Sequence, residues 1–239
     1  ASLQTDNLEI RGAIESIEIE PASLRLGVGL RFPLRAYARR ADGSRSNITS
    51  AVVWSTGDQA AVAIDEDGWV EARSIGQSSI QAFHAPTGIS SANGLPGTVD
   101  VAGRVESLEI RPLRVAAGSR RKAKVYARFT DGTESDDLRR ALEWSVSNPE
   151  IARVGSSDTA GLDSGEVEGL RAGWATLEAR DPINGWTTRG VRNLKVQGLI
   201  RNIAMEAPDQ GLVPVGAEAL FKVRAVYEDG ERLNISDKC

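Results

Sequence analysis

Three stretches of the chain are versions of one another, and this repetition limits the fold more than any other feature. They are Ile14-Glu-Ser-Ile17-Glu-Ile19-Glu-Pro21, Val105-Glu-Ser-Leu108-Glu-Ile110-Arg-Pro112 and Ile200-Arg-Asn-Ile203-Ala-Met205-Glu-Ala-Pro208, so their starts lie 91 and 95 residues apart. Each follows a triplet that ends in glycine: Ile10-Arg11-Gly12, Val101-Ala102-Gly103 and Val196-Gln197-Gly198. Each precedes a glycine in a turn context (Gly27, Gly118, Gly216), and then a tyrosine and an Asp-Gly pair: Tyr37 with Asp42-Gly43, Tyr126 with Asp131-Gly132, Tyr227 with Asp229-Gly230. A Trp-Ser pair completes the order at Trp54-Ser55 and Trp144-Ser145. Helical solenoid repeats run to about 20–50 residues, so a period near 90 indicates a small domain instead.

Inside each repeat the apolar residues alternate with polar ones, as they do on a half-buried strand. Phe32, Leu34, Ala36 and Ala38 share one parity, and Arg31, Arg35, Tyr37 and Arg39 the other. Ala123, Val125, Ala127 and Phe129 oppose Lys122, Lys124, Tyr126 and Arg128 in the second repeat, and Phe221, Val223, Ala225 and Tyr227 oppose Lys222, Arg224 and Glu228 in the third. Further strands are expected at 62–64, 70–72, 80–83, 99–101, 151–154, 167–170, 177–179 and 194–196, with Gly, Asp, Asn, Ser or Pro between them. Leu138–Leu142 has room for one helical turn. About seven short strands per repeat and no long helix predict an all-β chain of tandem antiparallel sandwiches.

The expected boundaries are 1–13 (the last strand and linker of a preceding repeat), 14–103, 104–198 and 199–239 (the start of a further repeat). The edges of such part-repeats offer pairing sites to another chain. Only Ala102-Gly103-Arg104 and Gln197-Gly198-Leu199 join consecutive repeats, far too little for a flexible linker. An extended rod follows as the expectation.

Composition removes several function classes. With one His and one Cys in 239 residues, zinc clusters, disulfide frameworks and most nucleophile–base pairs are excluded. A net charge of −4 gives no general field for nucleic acid, and no apolar run approaches the ~20 residues of a membrane span. No Gly-rich phosphate loop, nucleophile elbow or fixed carboxylate pair is present, so the chain reads as a non-enzyme.

The order Glu106–Pro112, Gly118, a Tyr-containing strand ending at Asp131-Gly132, Trp144–Val154, Gly165–Ala179 and Leu194–Val196 resembles the bacterial immunoglobulin-like domain of the group 2 type. The first repeat matches through Trp54-Ser55, Val62-Ala-Ile64, Gly68-Trp-Val70 and Gly76…Ile80; it departs at Gly57-Asp58 and carries an insertion around 85–97. The resemblance implies immunoglobulin-like sandwiches. It also implies a structural or adhesive role in a longer bacterial cell-surface or extracytoplasmic protein, with a protein or polysaccharide partner. Other members of such families serve as carbohydrate-binding accessory modules of exported enzymes or as phage virion decorations.

Candidate residues follow from the comparison of repeats. Trp54 and Trp144 occupy one repeat position and are expected in the core. Trp69, Trp174 and Trp186 lack counterparts; Glu166 aligns with Trp69 and Gln77 with Trp174. Their expected outward placement makes them candidates for stacking on sugars or for a protein contact. Arg35, Lys124 and Lys222 align as a cationic stripe suited to an anionic polymer, although Glu18, Glu20 and Glu109 share their outward parity and would pair with it. No resident cofactor is expected. Glu15, Asp100 and Glu106 near the boundaries are the candidates for a junction Ca²⁺ site, and Asp65-Glu66-Asp67-Gly68 reads as a hairpin turn.

Overall fold

A computed structural model describes residues 12–91, 97–156, 161–188, 190, 192–206, 221–228 and 230–234. The expected closing strand within residues 1–13 and the landmarks Gly216 and Asp229 lie outside these, apart from residues 12 and 13. Two short 3-10 turns, Thr49–Ala51 and Arg139–Ala141, interrupt described regular structure that is otherwise almost all strand.

The first strands are β1 (Ile14–Glu20), β2 (Ser23–Val28), β3 (Arg31–Pro33), β4 (Arg35–Arg40), β5 (Arg45–Asn47), β6 (Val53–Thr56), β7 (Val62–Ile64), β8 (Trp69–Ala72), β9 (Gly76–His84), β10 (Ile89–Ser90) and β11 (Gly97–Ile110). They are followed by β12 (Leu113–Ala116), β13 (Arg120–Lys122), β14 (Val125–Phe129), β15 (Glu143–Val146), β16 (Ala152–Val154), β17 (Glu166–Gly169), β18 (Gly173–Ala175), β19 (Leu177–Arg180), β20 (Leu194–Gln197), β21 (Ile200–Glu206), β22 (Lys222–Tyr227) and β23 (Arg232–Asn234).

These strands belong to two compact units: Ala1–Leu108 with Tyr126–Ala141 and Ile183–Trp186, and Glu109–Val125 with Leu142–Pro182 and Thr187–Cys239. In the first, β4 lies between β1 and β5, and β8 lies between β3 and β7. A six-stranded sheet runs β10-β9-β11-β14, with β6 also on β9 and β2 also on β11. The second unit holds the sheets β12-β20-β18, β13-β17-β16, β15-β19 and β21-β22-β23.

Alternation explains which side of each strand is buried. In and around β3 and β4, Phe32, Leu34, Ala36 and Ala38 are buried, while Arg35 and Arg39 face water. They join Ile17, Leu26, Leu30, Val62, Val70 and Ile80 in one core. Burying each large aliphatic or aromatic side chain contributes about 1.5–3 kcal/mol. In the second unit Val115, Val167, Leu177, Leu194 and Val196 are buried in the same way.

Two of the described strand pairs are parallel: β2 runs parallel to β11, and β12 parallel to β20. In both, the strand after the first Pro of a repeat crosses to lie beside the closing strand of that repeat. Leu24, Arg25 and Leu26 face Val99, Asp100 and Val101; Leu113, Arg114 and Val115 face Leu194, Lys195 and Val196. These registers make Arg25 and Arg114 equivalent, which a count from the two prolines misses because β12 is reached one residue sooner and shifts the alignment by two.

The same shift reassigns a glycine. Gly27 is not in a turn but inside β2, where a Cβ would come within 2.6 Å of the Val105 side chain and 2.7 Å of the Phe129 ring. The turn glycine equivalent to Gly118 (φ 76°) is Gly29 (φ 87°), both in the left-handed region that glycine enters without strain. Gly103, at the boundary expected from the sequence, lies within the 14-residue strand β11, so the chain passes from one repeat to the next without leaving strand conformation.

Candidate functional site

Trp54 and Trp144 sit in β6 and β15 at 9% and 8% exposure. The Trp54 indole N–H donates to the Thr49 carbonyl at 3.2 Å, which satisfies its one polar atom. Thr49 itself is held by Asn47, whose side-chain oxygen accepts from the Thr49 N–H at 2.9 Å and from its hydroxyl at 2.6 Å. The Asn-Ile-Thr segment thus builds the turn that caps the tryptophan.

The three unmatched tryptophans have distinct settings. Trp69 is half-buried at the start of β8, with the Arg31 guanidinium 5.6 Å from its ring centre. Arg31 is anchored in turn to Asp65 at 2.7 Å, and Asp65 also accepts the Trp69 N–H at 2.8 Å. The carboxylate of the hairpin turn is therefore spent on the turn and on arginine. Trp186 is half-buried beside Asn184, whose amide donates to the Gly29 carbonyl at 2.8 Å. Trp174, in β18, is the most open of the three at 44% exposure.

Two cations lie over Trp174, Arg192 at 5.2 Å and Lys195 at 5.6 Å. Attraction between a cation and the ring face adds about 0.5–1 kcal/mol at exposed sites. Arg192 has φ 53°, a conformation a non-glycine residue pays to adopt, and its N–H donates to the Thr176 hydroxyl at 3.1 Å. Next to it Asn193 bonds both backbone groups of Leu177, accepting at 2.7 Å and donating at 2.8 Å. These bonds fix the chain that carries Arg192 and Lys195 to the tryptophan.

Lys195 belongs to a row that crosses three strands. Trp174 in β18 faces Lys195 in β20, and Lys195 faces Arg114 in β12. Both cations bind one carboxylate: Glu231 accepts from Lys195, from Arg114 at 3.0 Å and from the Gln197 amide at 3.3 Å. The Lys195 hydrogen bond is the main reason that the Glu231 carboxyl titrates below the ordinary carboxylate range. The corresponding row of the first repeat is Gln77, Asp100 and Arg25. There Asp100 and Arg25 pair with each other at 3.5 Å, and the Arg25 N–H donates to Asp136 at 2.7 Å while the Asp136 N–H returns a bond to the Arg25 carbonyl at 3.1 Å.

The cationic stripe is threaded with acids. Glu18 binds Arg39 and lies 3.6 Å from Arg45, and Arg45 also reaches Glu20 at 3.1 Å and stacks 3.6 Å from the Tyr37 ring centre. Arg224 pairs with Glu206 at 3.1 Å. Arg35 and Lys222 stand directly opposite Glu20 and Glu206, whereas Lys124 stands opposite Arg111, whose N–H donates to its carbonyl at 3.1 Å. In the second unit Glu168 accepts from Arg153 at 2.5 Å and from Arg120 at 3.4 Å, and the Arg153 bond in particular holds its carboxyl below the usual range.

Of the calcium candidates, Asp100 is engaged by Arg25, and Glu15 and Glu106 are exposed. Among the described residues no group of three or more His, Cys, Asp and Glu side chains converges to hold a metal ion. None of the helical elements described is long and apolar enough to cross a membrane. An open pocket of about 360 Å³ in the first unit is lined by Glu20, Phe32, Asp137, Arg139 and Arg140. Arg140 stacks 5.6 Å from the Phe32 ring centre and donates to the Pro33 carbonyl at 3.3 Å, so burial there disfavours its charge.

Sequence comparison selected Trp174 but passed over Lys195, Arg114 and Glu231. The signal was present in the exchange of Asp100 for Lys195 between equivalent closing strands, and became legible once the strand registers were known.

No family model matches the chain. It is 26% identical over 176 residues to ice-binding protein 1 of Shewanella frigidimarina, across 72% of this chain and 19% of that protein. The chain therefore spans about a fifth of the length of this curated relative. Among solved structures it is similar to the S-layer protein rSbsC(31-844), at 15% identity and TM-score 0.30 over 94% of this chain and 32% of that one. It is also similar to the C-terminal fragment of intimin crystallised with the intimin-binding domain of the translocated intimin receptor. That match has 13% identity and TM-score 0.24 over 82% of this chain and 67% of that one.

Proposed function

We propose that the chain is a non-catalytic spacer and adhesive module, a run of group 2 type bacterial immunoglobulin-like repeats in a longer cell-surface or extracytoplasmic protein. The observation that carries this reading is β11, which joins the close of one repeat to the opening of the next as a single strand of 14 residues. A junction without free chain suits a part that holds something at a distance. Consecutive repeats at 14–103 and 104–198 would then stack end to end, each about 30–35 Å long from strand rise. Alignment to about a fifth of a longer bacterial relative agrees with a module role.

Small-angle scattering on the 239-residue chain tests the reading. We expect a maximum dimension beyond the ~60–70 Å that two stacked repeats span. A compact particle would remove the spacer function.

A second reading, a carbohydrate-binding accessory module, is favoured only by Trp174, a residue 44% exposed. Polysaccharide binding at that ring would change the tryptophan fluorescence and raise the melting temperature. With two cations already over the ring, we expect neither change across a glycan panel; a shift abolished by Trp174→Ala would establish the accessory role instead.

A further inference from the structure

The two equivalent three-strand rows differ in charge, and the difference has a chemical consequence. In the first repeat the row Gln77–Asp100–Arg25 is neutral within itself, because Asp100 and Arg25 pair at 3.5 Å. In the second, Trp174–Lys195–Arg114 sets two cations directly opposite each other on adjacent strands. Like charges at that spacing repel. Lys195 is moreover mostly withdrawn from water, its side chain 16% exposed, so it needs a counter-charge more than a surface lysine does. That charge is Glu231, in the turn between β22 and β23.

Each row meets the loop that follows the Asp-Gly turn of the next repeat, but by different chemistry. Asp136 lies four residues after Gly132 and exchanges backbone-directed bonds with Arg25, whose guanidinium is already paired. Glu231 lies one residue after Gly230 and puts its carboxylate between two side-chain cations. Arginine stands at this row position in both of these repeats; the residue beside it is Asp100 in one and Lys195 in the other.

We propose that the Lys195–Arg114 pair is a carboxylate receptor for the turn of a following immunoglobulin-like repeat, and that the charge of this row selects which repeat can follow. The partner is thus a repeat with an acid placed as Glu231 is. A row charged like that of the first repeat would present Asp100 to that acid and reject it. Selection of this kind works through repulsion of the wrong partner as much as attraction of the right one. Trp174 acts as a positioning residue, with its ring face beside the Lys195 ammonium. The proposal rests on the reading of residues 199–234 as the opening of a third repeat.

Hydrogen exchange on the 239-residue chain provides the test, read separately for β21–β23 and for β12 and β20. Glu231→Lys should speed exchange in β21–β23 at least tenfold while leaving β12 and β20 within twofold. Lys195→Asp, which gives the second row the charge of the first, should do the same. The double variant Lys195→Asp with Glu231→Lys re-forms an opposed pair and should bring exchange back to within threefold of the parent. Raising NaCl from 0.05 to 1 M should speed exchange in β21–β23 of the parent several-fold and slow it in the Glu231→Lys variant, where salt screens the repulsion from Lys195 and Arg114. The proposal falls if either single variant leaves β21–β23 unchanged, or if the double variant exchanges as fast as the singles. Such a failure leaves the scattering dimension untouched, so it is separable from failure of the spacer reading.

Discussion

The opening strand pair of the first repeat and that of the third are the same piece of structure in two settings. In β1 and β4, Ile17 faces Ala38 and Ile19 faces Ala36, with a register shift between Ile14 and Ser16. In β21 and β22, Ile203 faces Ala225 and Met205 faces Val223, with the shift at the same place, between Ile200 and Asn202. Yet Ile17 and Ile19 are 1% and 4% exposed, and Ile203 and Met205 are 58% and 68% exposed. Pairing and bulge are local properties, set by alternation and by the two strands alone. Burial is not local: Ile19 reaches within van der Waals distance of where a Cβ on Gly97 would lie, in the sheet of β9 and β11. The difference teaches that the apolar stripe of β1 is worth stability only because a second layer covers it.

The largest expected effect strikes that second layer. Trp54→Ala should cost the first repeat roughly 3–5 kcal/mol, as for a large buried aromatic, and Trp144→Ala the second a similar amount. Trp174→Ala, at an exposed ring, should cost under about 1 kcal/mol. Denaturant midpoints decide this; equal losses would mean that burial does not separate these residues energetically.

The comparison is tested directly by the matched pair Ile17→Ala and Ile203→Ala. The first should destabilise by about 2–5 kcal/mol, including the cavity left behind. The second, on an open face, should change stability by about 0.5 kcal/mol or less. If the two are equal in urea melts, the sheet of β21 and β22 has a covering layer in solution.

Acid should loosen the third region before the first. Glu231, facing Lys195, Arg114 and Gln197, has its carboxyl held below the ordinary glutamate range in the folded chain, chiefly by the Lys195 hydrogen bond. A depressed folded value means that the contribution is complete above the unfolded pKa and is lost as the pH falls through the folded one. Exchange in β22 and β23 should therefore accelerate below about pH 4.3, on top of the intrinsic pH dependence, and Glu231→Gln should remove the excess. The same excess in β1 and β4 would assign it to general acid unfolding.

Much of this was legible in the sequence because sandwich strands encode their own parity. The expected strands at 62–64, 70–72, 80–83, 99–101 and 194–196 coincide with β7, β8, β9, β11 and β20, and the single turn expected at 138–142 is the 3-10 turn Arg139–Ala141. What the sequence hid depended on register between distant strands. Gly27 read as a turn residue because nothing near it announces Val105 and Phe129, the groups that leave no room for a Cβ. The Lys195–Arg114 receptor was hidden for the same reason: 81 positions separate two residues that a parallel pairing sets side by side.

The smallest expected effect is the one that should not distinguish the two regions at all. On the polar side of the first pair, Glu18 binds Arg39; on that of the third, Glu206 binds Arg224 at 3.1 Å. All four side chains are at least a third exposed, so water screens both attractions, and each partner gives up rotamer freedom to hold the pair. Glu18→Gln and Glu206→Gln should each cost about 0.2–1 kcal/mol at low salt and less in 1 M NaCl, where the screening length falls to about 3 Å. A covering layer on the apolar side makes no difference to charges that face water on the other. A Glu18→Gln loss several times that of Glu206→Gln would show that the second layer stiffens the polar face as well as burying the apolar one, and that the two sides of the sheet are energetically coupled.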